Sequence, residues 1–426
     1  MLLALLLPIY VPAGLTTTAN TLLVPFLPVW LRGLGAPDAM VGAFFSFQGL
    51  GATVAGPPSG IAVASIGLKT SMISALCTVA VICALCAVVE WIWLLLLLRA
   101  LLGASLSLYQ VSRQTHIAAT VPNRMRGTAS SMLGGSMRIV SVVGPLLGGG
   151  IVASISVSAA FWLQALLYAL TAMLVSRAIA SPSADEAAAA AAAATKKKER
   201  GGLCVAVRSD EARRALLRAA PTALAISLAR AARSMMLPLR AADAGLSDAG
   251  LGGVIAASFA FDMALFPVAG YIMDHCGRKY AGVPSMMGFS LSFVVLASAA
   301  TPAAVWAASI LMGVSNGLTS GFLQVLGADL APEGAQSEFL GLWKSVTSGG
   351  NLVGPLAIGL ISQSFGGLGS SAACIAALCA CGAAWYSLVG EETLQRGVKP
   401  GPAASLAAAD SANEPDMSLQ PSRDKA

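Results

Sequence analysis

Apolar stretches of about 20 residues follow one another along nearly the whole chain, and nothing else constrains the fold as strongly. They lie at roughly 2–30, 38–62, 70–89, 91–118, 128–153, 157–179, 215–238, 248–272, 280–299, 303–328, 338–362 and 367–389. A helix of that length covers the hydrocarbon core of a bilayer. In lipid the backbone must satisfy its own hydrogen bonds, which leaves helices or closed barrels. Barrel strands would be shorter and would alternate apolar with polar residues, a pattern absent here. Charge is correspondingly scarce, at 11% of 426 residues against 56% hydrophobic, whereas a soluble domain is about a quarter charged. The expectation is an all-α membrane protein with twelve transmembrane helices.

The basic residues order these helices. One side of the predicted membrane collects Lys69, Arg124, Arg126, Arg177, the Lys196–Arg200 cluster, Arg208, Arg213, Arg214, Arg278 and Lys279, and the other only Arg32 and Arg240. The basic side reads as cytoplasmic, with both termini inside and Trp91 and Trp93 at the outer interface. Met1–Leu7 lacks a basic n-region and runs on apolar to Trp30, so it reads as the first span rather than a cleaved leader. Four segments result: a six-helix bundle over 1–179, a cytoplasmic linker over 180–214, a second bundle over 215–390, and a disordered cytoplasmic tail over 391–426. The linker holds an alanine run and the basic cluster, and Leu203–Arg218 has the mix of basic and aliphatic residues of a helix lying on a membrane surface. The plasma membrane and an organelle membrane are both compatible with this arrangement.

Other chemistries find little support. The net charge of +6 is dispersed between spans without aromatic interleaving, which argues against nucleic-acid binding. Of the eight cysteines, Cys83 and Cys86 have C-x-x-C spacing but lie inside a span with no second ligand pair, where thiols serve as apolar filler, and the two histidines make no metal cluster. No phosphate-binding loop or nucleophile–base pair stands out, so neither an enzyme nor an ATP-driven pump is expected, and no cofactor or metal.

The halves repeat. At a single offset of 210, Pro28 pairs with Pro238, Gly42 with Gly252, Pro57 with Pro267, Gly60 with Gly270, Gly67 with Gly277, Lys69 with Lys279, Gly103 with Gly313, Ser105 with Ser315, Gln114 with Gln324 and Pro122 with Pro332. Val143-Gly144-Pro145-Leu146 likewise matches Val353-Gly354-Pro355-Leu356. A repeat in the same orientation predicts two pseudo-symmetric bundles related by an axis along the membrane normal, which rock around a central site.

Gly270-Tyr271-Ile272-Met273-Asp274-His275-Cys276-Gly277-Arg278-Lys279 fits G-x-x-x-D-x-x-G-R-K. On this loop, and on the repeat, the chain resembles the major facilitator superfamily over nearly all of residues 1–390. The resemblance implies a latch at the loop, with Asp274 facing a helix N-terminus, that of span 5, and Arg278 and Lys279 at the cytoplasmic surface. The first-half copy has Ala64 at the aspartate position, so that latch is lost there. Arg99 and Gly103 in span 4 resemble the family's R-x-x-x-G element, tied to proton coupling. Gly144-Pro145-Leu146-Leu147-Gly148-Gly149 resembles its G-P-x-x-G-G element of antiporters, and Gly354-Pro355 echoes it in span 11. These glycines and prolines predict close helix packing.

Ionisable residues within spans are costly and mark function. They are Arg99, Arg113, Arg138, Arg230, Arg233, Asp262 and Lys344. The family resemblance assigns the cavity to spans 1, 4, 7 and 10, which makes Asn20, Tyr109, Arg113, Gln114, Arg230, Arg233, Asn316 and Gln324 the cavity and substrate candidates. Asp262 and Arg138 have similar predicted depths in spans 8 and 5, which pack together in this family, and an ion pair between them across the halves is expected. Asp262, Arg138, Arg99, Asp274, Arg278 and Lys279 are the coupling and gating candidates. The electropositive interior favours an anionic or polar solute. The expected function is a monomeric secondary transporter of a small organic solute, with a proton as candidate coupling ion and antiport or efflux as the first direction. Uniport or symport of an organic anion is the alternative, and a transporter-like receptor that carries nothing is another.

Overall fold

The computed structural model describes residues 6–121, 126–179, 210–331, 336–390 and 392–393. Most of the predicted linker, with its alanine run and Lys196–Arg200, and the tail from 394 onward lie outside these residues.

Every described element is helical. Spans 2, 3 and 4 are Asp38–Ile66, Leu68–Cys86 and Ile92–Thr120, and span 6 is Val157–Ala178. Spans 7, 8 and 9 are Asp210–Asp243, Asp248–His275 and Arg278–Ala297, and spans 11 and 12 are Gln336–Ser364 and Leu368–Leu388. The other three predicted spans are broken. Span 1 comprises Leu6–Tyr10, Val11–Leu22 and Leu27–Gly33, span 5 comprises Arg126–Ser141 and Val143–Ser154, and span 10 comprises Pro302–Leu318 and Phe322–Asp329. Proline causes the first break: Pro25 and Pro28 lack the donors that would continue the helix. Ten of the described helices are long and apolar enough to cross a membrane; span 1 and span 11 fall short of that criterion. The polar content of span 11 (Lys344, Ser345, Thr347, Ser348 and Asn351) sets it apart.

The span 7 helix begins at Asp210, so residues 210–214 belong to the bundle rather than to the linker. Residues 210–218, part of the expected surface helix, are its first turns. Tertiary continuity wins here, because the next apolar turns of the same helix are packed in the core, with Ala223 and Ile226 fully buried.

The sequence repeat is a repeat of contacts. The loops after spans 1 and 7 turn on Gly35 and Gly245, with φ of 83° and 78°, and those after spans 2 and 8 on Gly67 and Gly277, with φ of 85° and 128°. All four backbones lie in a region that side chains other than glycine enter at a cost. Gly42 of span 2 lies against the Pro355 carbonyl of span 11, and Gly252 of span 8 lies against the Pro145 carbonyl of span 5. Gly359 meets Asp38 and Ala39, as Gly149 meets Asp248 and Ala249. Gly103 packs on the Gln48 carbonyl, as Gly313 packs on that of Ser258. Each pair of contacts is related by the same offset of 210. The two bundles thus meet along two seams, span 2 with span 11 and span 5 with span 8, where glycine allows backbones to touch.

Both seams are tight at the end that carries Arg32. There Arg32 Nε is 2.9 Å from Asp38 Oδ1 and its Nη1 is 3.1 Å from Asp243 Oδ1, so one guanidinium ties both halves. The Ser362 hydroxyl also donates to Asp38 across the halves. Toward the opposite end, which carries Lys69, Arg278 and Lys279, the span 2–span 11 seam widens into a cleft of ≈ 480 Å³ lined by residues of spans 2, 4 and 11. Exposed Trp91, Trp93, Trp162 and Leu388 lie on the outside of the bundle, where lipid would cover them.

Candidate functional site

The polar centre of the molecule is built around Asp262. This side chain is buried in span 8 at 6% exposure. Its Oδ1 accepts from Arg138 Nη1 of span 5 at 2.6 Å and from the Ser320 hydroxyl at 3.1 Å. Its Oδ2 accepts from Asn316 Nδ2 of span 10 at 2.6 Å. Asn316 then turns its amide oxygen to Arg230 Nε of span 7, at 2.8 Å. Arg230 Nη2 donates to the carbonyl and the hydroxyl of Thr319, both at 3.0 Å. Arg138 stacks over Phe266, 5.0 Å from its ring centroid, and Arg233 over Phe259 at 4.7 Å. The network runs from span 5 of one half through spans 8, 10 and 7 of the other.

Local structure explains these positions. Asn316 and Ser320 are four residues apart, on one helix face. The helix breaks before Phe322, where Gly321 takes φ of 79°, and the Thr319 carbonyl there accepts from Arg230 as well as from the Phe322 N–H at 3.1 Å. Trp343 Nε1 of span 11 takes up the nearby Leu323 carbonyl at 2.7 Å. Charge is unbalanced: Arg138, Arg230 and Arg233 share the electrostatic neighbourhood of Asp262. Arg233 is 5% exposed, and its Nη2 has no hydrogen-bond partner.

The sequence candidates divide into groups. Arg138, Arg230, Arg233, Asp262 and Asn316 come together as described. Tyr109 and Arg113 form a separate pair in the first half, 5.5 Å from guanidinium carbon to ring centroid, with Arg113 Nε buried and unpartnered. Arg99 is buried against Phe44 and Phe45, at 4.8 and 5.9 Å. Asn20 is half-buried in span 1, at the repeat position of Arg230. Gln114 is exposed and lines the cleft between spans 2, 4 and 11 instead of joining the Arg230 group. Gln324 is exposed; it lies beyond the span 10 break, which turns the following helix.

The loop motif is anchored within the second half. Asp274 is exposed, and its side chain contacts Arg278 at 3.5 Å; the side chains at the start of span 5, toward which the expected latch was directed, lie outside the described residues. Arg278 Nε pairs instead with Asp329 Oδ2 at 3.0 Å. Glu392, after span 12, accepts from the backbone N–H groups of Arg278 and Lys279 at 2.7 and 3.0 Å, and so caps span 9. Lys279 Nζ reaches the Ser387 carbonyl at 3.1 Å. The latch residues therefore hold the second half together internally. Gly144, Pro145, Gly148 and Gly149 are buried as packing residues, with Gly144 and Gly148 on span 1 and Pro145 and Gly149 on span 8. Gly354 packs on span 7 and Pro355 on span 2.

Sequence reading missed Thr319, Ser320, Phe259, Phe266 and Glu392. Ser320 was within reach, because it lies one helical turn beyond Asn316. Glu392 was not, since capping partners 114 residues apart are set by tertiary structure alone.

A family model described as Major Facilitator Superfamily matches residues 10–229 and again 219–413. "Multidrug resistance protein MdtG" of Proteus mirabilis (strain HI4320) is 31% identical over 140 residues, which cover 32% of this chain and 35% of that protein. "Uncharacterized MFS-type transporter Rv1877" of Mycobacterium tuberculosis (strain ATCC 25618 / H37Rv) is 30% identical over 147 residues, 34% of this chain and 21% of that one. The chain thus matches about a third or less of the length of these curated relatives. A solved POT family transporter in complex with a thioalcohol-conjugated peptide superposes with a TM-score of 0.72 at 10% identity, over 90% of this chain and 94% of that one. At that identity the likeness speaks to the fold. With both halves matched by one family model, and with the helices, the repeat and the fold in agreement, the chain is a multi-pass integral membrane protein that belongs to the Major Facilitator Superfamily.

Proposed function

We propose that the chain is a secondary active transporter that moves a small organic solute by alternating access and couples the movement to a proton, in the direction of efflux by antiport. The observation that carries this reading is the Arg138–Asp262 pair, which crosses the seam between the halves at 2.6 Å. Among the described residues no other acid is buried. Protonation of Asp262 cancels the attraction that holds the two halves together at that depth, so one proton biases one conformation. The multidrug-resistance names of two of the relatives support the efflux direction.

The basic end is cytoplasmic in this reading, by the distribution of Lys and Arg, with both termini inside. The Arg32 end is then closed to the outside and the cleft faces inward. The working unit is a monomer, with bundles 1–179 and 215–390 joined by a cytoplasmic linker. A second reading, uniport or symport of an organic anion, draws on the excess of Arg138, Arg230 and Arg233 over Asp262.

Counterflow of ethidium, benzoate and dialanine in proteoliposomes, with and without an imposed pH gradient, tests both readings. Gradient-driven ethidium accumulation supports antiport, and benzoate exchange supports the anion reading. No flux of any of the three under either condition would leave a non-transporting receptor.

A further inference from the structure

The repeat exposes a difference between the two seams. Applying the offset of 210 to the ion pair, Asp262 corresponds to Ala52 and Arg138 to Ser348. Both of these small residues line the ≈ 480 Å³ cleft. Where one seam is bridged by an acid and an arginine, the other is hollow. The hollow also has its own charge: Lys344 lines it, where the first half has Gly134 at the corresponding position.

The lining is polar in a particular way. Gln48, Gln110, Gln114 and Asn351 present amides to the same space, and none of them, nor Lys344, has a protein hydrogen-bond partner among the described residues. Among the described residues no acid lines the cleft. Lys344 lies eight residues into span 11, about 12 Å along the helix from its start. Lys344 is exposed to the cleft with no acid beside it among the described residues, and the amide NH2 groups that face the same space without partners can donate to the oxygens of an anion. A cationic ligand would meet only Lys344 and neutral groups.

We infer that this cleft between spans 2, 4 and 11 is a binding site for a monoanionic group, a carboxylate or phosphodiester, held by Lys344 and oriented by Gln114 and Asn351. The site is separate from the Asp262 network, which lies on spans 5, 7, 8 and 10, and it does not depend on proton coupling. The same anion could arrive on an amphiphile from the bilayer, through the gap between spans 2 and 11, or on a water-soluble solute.

The test is equilibrium binding of radiolabelled dodecanoate and benzoate to the full chain in phosphatidylcholine nanodiscs, with empty nanodiscs subtracted. Saturable binding is expected, with affinity at least tenfold lower in Lys344→Gln and kept within about threefold in Lys344→Arg. Gln114→Leu keeps the charge and should also weaken binding, so the test stands even if Lys344→Gln fails to fold; melting temperatures in the same nanodiscs identify that case. Dodecanoate bound far more tightly than benzoate assigns the site to a bilayer amphiphile, and equal affinities assign it to an aqueous anion. The inference is overturned if neither anion binds saturably, if folded Lys344→Gln binds as the parent chain does, or if dodecan-1-ol competes as well as dodecanoate.

Discussion

Replacing Asp262 with Asn keeps the shape of the side chain and removes its charge, which makes it the sharpest probe of the seam. The carboxylate accepts from Arg138, Ser320 and Asn316 and donates nothing. An asparagine can keep its oxygen toward Arg138 and Ser320, but its NH2 then faces the NH2 of Asn316. If Asn316 flips to offer its oxygen, its own NH2 faces Arg230 Nε, another donor. Every orientation leaves one mismatch. Breaking a buried ion pair costs about 3–5 kcal/mol and an exposed one about 0–1. With side-chain exposures of 27% for Arg138 and 9% for Asp262, about 2–3 kcal/mol is reasonable. That free energy is an equilibrium shift of about 30- to 150-fold away from the conformation closed at the Arg32 end. Spin labels on the loops at 34–37 and 244–247, in a cysteine-substituted background, would report a longer distance distribution in the variant. In proteoliposomes, solute counterflow should survive while pH-driven accumulation disappears. An unchanged distance distribution together with intact pH-driven accumulation would refute the reasoning, and Asp262 would then be a structural acid.

Three further outcomes are expected. A Cβ at Gly252 would stand 2.5 Å from the Pro145 carbonyl oxygen, where ordinary contact begins near 3.4 Å. Gly252→Ala should therefore part spans 5 and 8, cost about 1–3 kcal/mol and open the Arg32 end in the same spin-label measurement, while Gly134→Ala, with open space at its Cβ, should not. Asn316→Leu strands both Arg230 Nε and Asp262 Oδ2, so it should destabilise the protein by about 3 kcal/mol, read as a lower melting temperature in detergent. Glu392→Ala removes the cap on span 9 and should speed amide hydrogen exchange at Arg278 and Lys279 several-fold while leaving exchange in span 3, whose start has no such cap, unchanged.

What the chain wrote plainly was periodic or local. Stretches long enough to span a bilayer, the loop glycines Gly67 and Gly277, and a single repeat offset all survive as structure, because each depends on residues close in sequence or on a strict copy of them. The Arg138–Asp262 pair was legible for a related reason: two charges at similar depth in apolar helices have few places to go. Partners that depend on how helices rotate and break were hidden. Gln114 and Gln324 are repeat mates, yet Gln114 faces the side cleft while Gln324 follows a helix break at Gly321. Asp274 matches the loop signature, yet Arg278 and Glu392 shape the loop. The most consequential decision was tertiary. The chain writes an ion pair at one seam and Ala52 and Ser348 at the other, and packing decides that the second seam opens as a hollow. A charge pair draws helices together across a low-dielectric gap, and Ala52 opposite Ser348 supplies no such attraction.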